Sequence, residues 1–82
     1  MKEEEIGRGI IRFFKNSQKY GFISDFEGGP DLFFHIRNCA ETRLRFYAEI
    51  GCVKGRSIFF LESEKRDELN RRSAQAVWLA EN

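Results

Sequence analysis

Two short apolar runs joined at Glu27-Gly28-Gly29-Pro30 constrain this chain more than any other feature. From Lys19 to Ile36 the sequence reads KYGFISDFEGGPDLFFHI. Both runs suit strands, and no 3.6-residue period competes. In an extended segment Tyr20 and Phe22 point one way while Gly21 and Ile23 point the other. Likewise Phe33 and His35 oppose Leu32, Phe34 and Ile36. Both faces of the hairpin are therefore greasy, and a small sheet has only one inside.

The rest of the chain supplies further strands. Gly9–Lys15 (GIIRFFK) is β-branched and aromatic, and Asn16-Ser17-Gln18 has turn chemistry. Arg56–Glu62 (RSIFFLE) opens behind Gly55, and Ala74–Leu79 (AQAVWL) reads as a closing strand. The chain has one proline, no convincing long helix and no internal repeat. This pattern predicts an all-β fold of five antiparallel strands in a closed or nearly closed sheet, since closure removes exposed edges. The segment from Arg37 to Lys54 is ambiguous. Leu44, Phe46, Ala48 and Ile50 alternate with Arg43, Arg45, Tyr47 and Glu49, which fits an extended segment; an ordered loop with a helical turn near Cys39–Thr42 fits equally. Lys65–Arg72 (KRDELNRR) reads as a solvated charged loop. Residues 1–6 are expected to be a frayed acidic lead-in, with 7–80 as one domain.

Composition narrows the class. Eighty-two residues suffice for a single domain. A 41% hydrophobic and 33% charged content belongs to a folded globular chain, not a disordered one. No apolar run approaches the roughly 18–20 residues of a membrane span. No charged-then-apolar leader is seen, so no membrane association is expected and the cytoplasm is the expected location. Cys39 and Cys52 are too few and too irregularly spaced for a zinc site, which leaves two reduced thiols, with a disulfide as the alternative. The net charge of +1 says little, but its distribution says more. Arg8, Arg12, Lys15 and Lys19 share the stretch from Arg8 to Ile23 with no acid, while acids gather at Glu3-Glu4-Glu5 and between Glu62 and Glu68.

A barrel this small admits one inward set of side chains. Ile11, Ile23, Leu32, Phe34, Ile58, Phe60, Val77 and Leu79 already make a full core. Tyr20, Phe22, Phe33 and His35 are then left outside on two adjacent strands. Soluble monomers seldom expose such a patch unless something binds it. Three explanations compete: the middle segment, with Phe46 and Tyr47, folds over the rings; the rings form a homodimer or protein-partner face; or they form a stacking platform for unpaired bases. Arg12, Lys15 and Lys19 lie beside the ring-bearing strands, whereas the centre of a protein interface is depleted of charge. Rings interleaved with cations favour nucleic acid.

These residues resemble those of the cold-shock domain family. Its first motif reads roughly G-x-V-K-W-F-N-x-x-K-G-F-G-F-I. Gly9 to Ile23 read G-I-I-R-F-F-K-N-S-Q-K-Y-G-F-I, fifteen positions without a gap. The second motif, D-V-F-V-H-F, is matched by Asp31-Leu32-Phe33-Phe34-His35-Ile36. Gly55–Phe60 and Gln75–Val77 are similar, more weakly, to the family's fourth and fifth strands. The resemblance implies an OB-type barrel that binds single-stranded RNA or DNA. It implies expanded connections at 37–54 and 63–73. It also implies stacking roles for Phe13, Tyr20, Phe22, Phe33 and His35, with Arg12 beside the first ring and Asp31 able to meet a base edge. Arg12, Lys15 and Lys19 would follow the phosphates. Strict alternation puts Phe13 on the face of Ile11, so the resemblance requires a bend or bulge there.

The departures are specific. Phe13 replaces a tryptophan, Lys15 an asparagine, Gln18 a lysine and Lys19 a glycine, and Ile36 replaces the last aromatic. Trp78 stands where the family has a small polar residue, and it is expected to pack under a neighbouring loop. A homodimer through Phe59 or Trp78 is the remaining partner expectation. No nucleophile–base pair, metal cluster or phosphate-cradling loop is recognisable, so neither an enzyme nor a cofactor or metal is expected. Predicted, then, is low-specificity single-strand binding of the RNA-chaperone or regulator type. The alternative is a protein-interaction or homodimerisation module using the same aromatic face.

Overall fold

Ten residues, Ile6–Lys15, form β1, the strand around which the sheet is assembled. The computed structural model describes residues 6–81. Within them lie β2 (Tyr20–Asp25), β3 (Leu32–His35), β4 (Ser57–Glu62) and β5 (Ala74–Leu79). The order is β3-β2-β1-β4-β5 and every neighbouring pair is antiparallel. β1 is long enough to pair with β4 through Ile6–Ile10 and with β2 through Gly9–Lys15. The sheet curls until its two edges approach. Phe33 N–H donates to the Arg72 carbonyl at 2.9 Å, and Phe33 and Ser73 form a parallel bridge. This is the expected all-β fold of five antiparallel strands, curled into a half-barrel consistent with an OB-type barrel. The proposed lead-in lies outside the described residues except for Ile6, which is the first residue of β1.

The interior follows the period-two reading. Ile11, Ile23, Leu32, Phe34, Ile58, Phe60 and Val77 are buried, and Leu79 packs against them while staying partly exposed. The connections add Cys39, Leu44, Ala48 and Val53 to the same cluster, and Ala74 joins it from the start of β5. Cys39 and Cys52 are free thiols, and burial pushes the Cys39 thiol up to about 11.

The middle segment is not extended. After a 3-10 turn at Ile36–Asn38, Thr42–Glu49 form α1, the one α-helix among the described residues. Leu44 and Ala48, four residues apart, are buried, whereas Phe46 and Ile50 are more than half exposed. A period of two and a helical step of four both put Leu44 and Ala48 on one side, so alternation could not separate the two conformations. Strong helix formers (Arg, Leu, Ala, Glu) decide locally. The stop is Gly51, at φ 77°: its N–H donates to the Ala48 carbonyl, and Cys52 N–H donates to the Tyr47 carbonyl. That pair of bonds is a Schellman motif, which glycine in the left-handed region permits.

The 63–73 connection is also more structured than a solvated loop. Arg72 carries a side chain only 16% exposed. Its guanidinium donates to both Glu62 carboxylate oxygens (2.8 and 3.0 Å), to Asp25 Oδ2 (3.0 Å) and to the Pro30 carbonyl (2.8 Å). Every guanidinium nitrogen is engaged, as a partly buried cation requires.

Candidate nucleic-acid interface

The site begins with an irregularity in β1. Ile11 pairs with Ile23, yet Phe13 pairs with Phe22, so Arg12 is an extra residue in the strand. This β-bulge reverses which side chains face inward. Ile11 is buried before it, whereas after it Phe13 is 44% exposed and Phe14 turns in to stack on Phe34 at 5.9 Å. The bend or bulge that the family resemblance required is therefore present. Gly21 makes room for it: a Cβ there would lie 2.2 Å from the Phe13 carbonyl oxygen and 2.9 Å from the Phe34 ring.

Phe13, turned outward, joins the rings of β2 and β3. Its centroid lies 6.3 Å from Tyr20 and 6.4 Å from Phe22. Tyr20 is 6.0 Å from Phe22 and 5.6 Å from Phe33, and Phe22 is 5.9 Å from Phe33. Four rings thus form one connected patch at the distances typical of aromatic pairs. Tyr20, Phe22 and Phe33 are half-buried by one another and by the strands beneath them. The middle segment does not cover them. Phe46 and Tyr47 pair with each other at 6.2 Å, and Tyr47 lies under the Arg56 guanidinium at 3.6 Å.

His35 stands opposite Tyr20 in the β2–β3 register. Its backbone N–H donates to Asn38 Oδ1 at 2.8 Å, and its Nδ1 accepts from Arg37 N–H at 3.1 Å. The neutral ring therefore carries its proton on Nε2. Partial burial and the nearby Arg37 charge hold its pKa below the ordinary imidazole value.

The cations divide into two kinds. Lys15 is exposed, and Lys19 reaches Asn16 Oδ1 at 2.9 Å; neither makes an ion pair among the described residues. Arg12, 69% exposed, donates to Asp31 Oδ2 at 3.2 Å. The two residues assigned to phosphate and to a base edge thus hold each other when no strand is bound. An exposed pair of this kind contributes at most about 1 kcal/mol, so a phosphate or base can compete for either partner.

Arg71 was not anticipated. Its guanidinium carbon lies 4.5 Å from the Phe33 centroid and 5.4 Å from that of Phe22. In the sequence it is one cation in a charged run, and only the approach of Ser73 to Phe33 brings it onto the rings. On the outer face of β4 and β5, Phe59 pairs with Trp78, and Arg8 lies 5.5 Å over the Phe59 ring. Trp78 is half-buried. Among the described residues no cluster of three or more His, Cys, Asp or Glu side chains could hold a metal ion, and no helix is long and apolar enough to cross a membrane.

A family model described as the 'Cold-shock' DNA-binding domain matches residues 7–79, a span that runs from β1 to the end of β5 and includes every ring of the patch. No curated protein matches the chain.

Proposed function

The chain belongs to the cold-shock domain family, and from that premise we propose that it binds single-stranded RNA or DNA by stacking bases on Phe13, Tyr20, Phe22, Phe33 and His35. Lys15, Lys19 and Arg12 follow the phosphates, and Asp31 meets a base edge. The observation that carries this reading is the bulge at Arg12, which turns Phe13 out of the core and completes a patch of four touching rings. Stacking contributes about 1–3 kcal/mol per base and favours no base strongly, so four rings supply roughly 4–12 kcal/mol before ordering costs. Sequence specificity along the patch is low for the same reason. A protein that binds unpaired strands shifts them away from refolding by mass action, without ATP. That is RNA-chaperone or transcription and translation regulator behaviour in the cytoplasm, with no catalytic group required.

Titration of a fluorescent oligo-dT or oligo-U at several salt concentrations tests the proposal. Three neutralised phosphates give a log–log slope near −2 on a single strand. Tight binding with that slope is the expected result. A chain that binds no oligonucleotide, or binds with a flat salt response, would favour the protein-partner use of the same face.

A further inference from the structure

Arg71 sits on the ring patch in a way that chance placement of a surface side chain does not explain. Phe22 and Phe33 meet at 70°, and the guanidinium lies over both. Asp67 holds it there. Asp67 Oδ2 accepts from Arg71 Nε at 2.7 Å, while Oδ1 accepts from the backbone N–H groups of Arg71 (2.8 Å) and Leu69 (3.0 Å). Asp67 N–H donates in return to the Arg71 carbonyl at 3.0 Å, and Asn70, at φ 61°, provides the tight reversal between them. The loop therefore fixes both the root of the side chain and one edge of its guanidinium.

The other edge is free. A guanidinium presents five N–H donors in one plane, and Asp67 takes the one on Nε. Among the described residues neither terminal nitrogen of Arg71 meets an acceptor, whereas neighbouring Arg72 has all three nitrogens engaged. Four donors are thus held ready above an aromatic surface. Their height matters. Stacked ring systems place centroids about 4.5–7 Å apart, so a group 4.5–5.4 Å from two ring centroids lies in the layer a bound base would occupy, while both rings stay partly exposed around it. Tyr20 is tilted only 30° from Phe33 and lies 5.6 Å away. A base lying in that layer beside the guanidinium meets it edge to edge. Guanine is the base whose O6 and N7 offer two acceptors at the spacing of such a fork.

We infer that Arg71 is a base-reading residue: held by Asp67 over Phe33 and Phe22, it donates its terminal amines to the O6/N7 edge of a guanine stacked beside it. Asp67 is the positioning residue. The inference rests on the single-strand binding proposed above, and adds one selective position to an otherwise tolerant surface.

The test compares a fluorescent hexathymidylate with six probes that each carry one guanine, on wild type, Arg71→Lys, Arg71→Ala and Asp67→Asn. At one position guanine should raise wild-type affinity about fivefold or more, the lower end for a bidentate arginine–guanine contact. Arg71→Lys keeps the charge but not the planar fork, so the guanine-to-thymine ratio should fall to about one while hexathymidylate affinity stays within about twofold. Asp67→Asn should lower the same ratio without weakening hexathymidylate binding, which a merely structural role would not produce. If Asp67→Asn fails to fold, Arg71→Lys, which keeps the backbone bonds to Asp67, still decides. Wild type that binds hexathymidylate but prefers guanine nowhere, or an Arg71→Lys that keeps the preference, overturns the inference alone. So does an Arg71→Ala that binds every probe more tightly, because the guanidinium would then be a plug. Wild type that binds no probe overturns the single-strand function as well.

Discussion

Phe13 faces Phe22 across the sheet although Ile11, two residues earlier, faces Ile23. An unbroken ladder from Ile11 would have set Phe13 opposite Gly21 and pointed its ring into the barrel. The extra residue, Arg12, moves the ring to the outside and brings its own guanidinium to Asp31.

Gly21→Ala tests how firmly that arrangement is held. The added methyl meets the Phe13 carbonyl oxygen at 2.2 Å, a distance only backbone movement can relieve. Overpacking of this kind destabilises by about 1–3 kcal/mol. Urea unfolding should show that loss, and oligonucleotide titration should show weaker binding, because the strand that must move carries Phe13.

The stacking surface is tested by Phe22→Ala and Phe33→Ala. Each should weaken oligo-dT binding by about 1–3 kcal/mol, or roughly 5- to 150-fold. Phe59→Ala, on the outer face of β4, should leave oligonucleotide affinity unchanged while weakening any self-association seen by light scattering. Ring deletions that bind as well as wild type would remove the patch from consideration as the site.

What the sequence revealed and what it hid divide along physical lines. Period-two patterning located the strands, the buried set around Ile11, Ile23, Leu32 and Phe34, and the outward rings of β2 and β3, because each strand declares its own two faces. Ala74–Leu79 was legible to the residue. Helix α1 was not, because its buried Leu44 and Ala48 satisfy both a strand and a helix period, although Gly51 was a visible stop signal. The bulge carries no local signature, since Arg12 is neither glycine nor a turn former, and only the family resemblance demanded it. Arg71 and Arg72 looked like neighbouring solvated cations. Their different fates, one over the rings and one enclosed by carboxylates, depend on where the sheet edges meet, and no local pattern encodes that.

Lys19 separates stability from binding. It holds φ 61°, a left-handed conformation that disfavours any side chain by about 1–2 kcal/mol. Glycine relieves that strain, but its greater unfolded-state freedom takes back about 0.5–1 kcal/mol. Lys19→Gly should therefore be as stable as wild type or up to about 1.5 kcal/mol more stable by chemical denaturation. Its salt slope should become shallower by about 0.7, the share of one phosphate contact on a single strand.

Acid should act on stability in two separable steps. Partial burial and Arg37 lower the His35 pKa in the folded chain. The unfolded chain then binds the proton first, so this contribution is complete above about 6.5 and is lost as pH falls through that value toward the folded one. Protonation also removes the Nδ1 acceptor used by Arg37 N–H. Glu62 is held below its usual range chiefly by hydrogen bonding from Arg72, against an opposing desolvation. Its contribution is present above about 4.5 and is lost at lower pH. Thermal midpoints measured across this range should fall twice. His35→Gln should flatten the first decline and Glu62→Gln the second.

The enclosed guanidinium of Arg72 also determines where the chain tolerates rewriting. It ties together Asp25, Pro30 and Glu62, and its own carbonyl receives the amide of Phe33, so this residue clasps the seam of the barrel beside the Phe33–Ser73 bridge. A reporter peptide or second domain spliced in at Glu64–Lys65 lengthens the connection upstream of that clasp and leaves it fastened. One residue added between Arg71 and Ser73 displaces the clasp from all of its anchors and parts β3 from β5, so the permissive and forbidden splice sites lie within ten positions of each other.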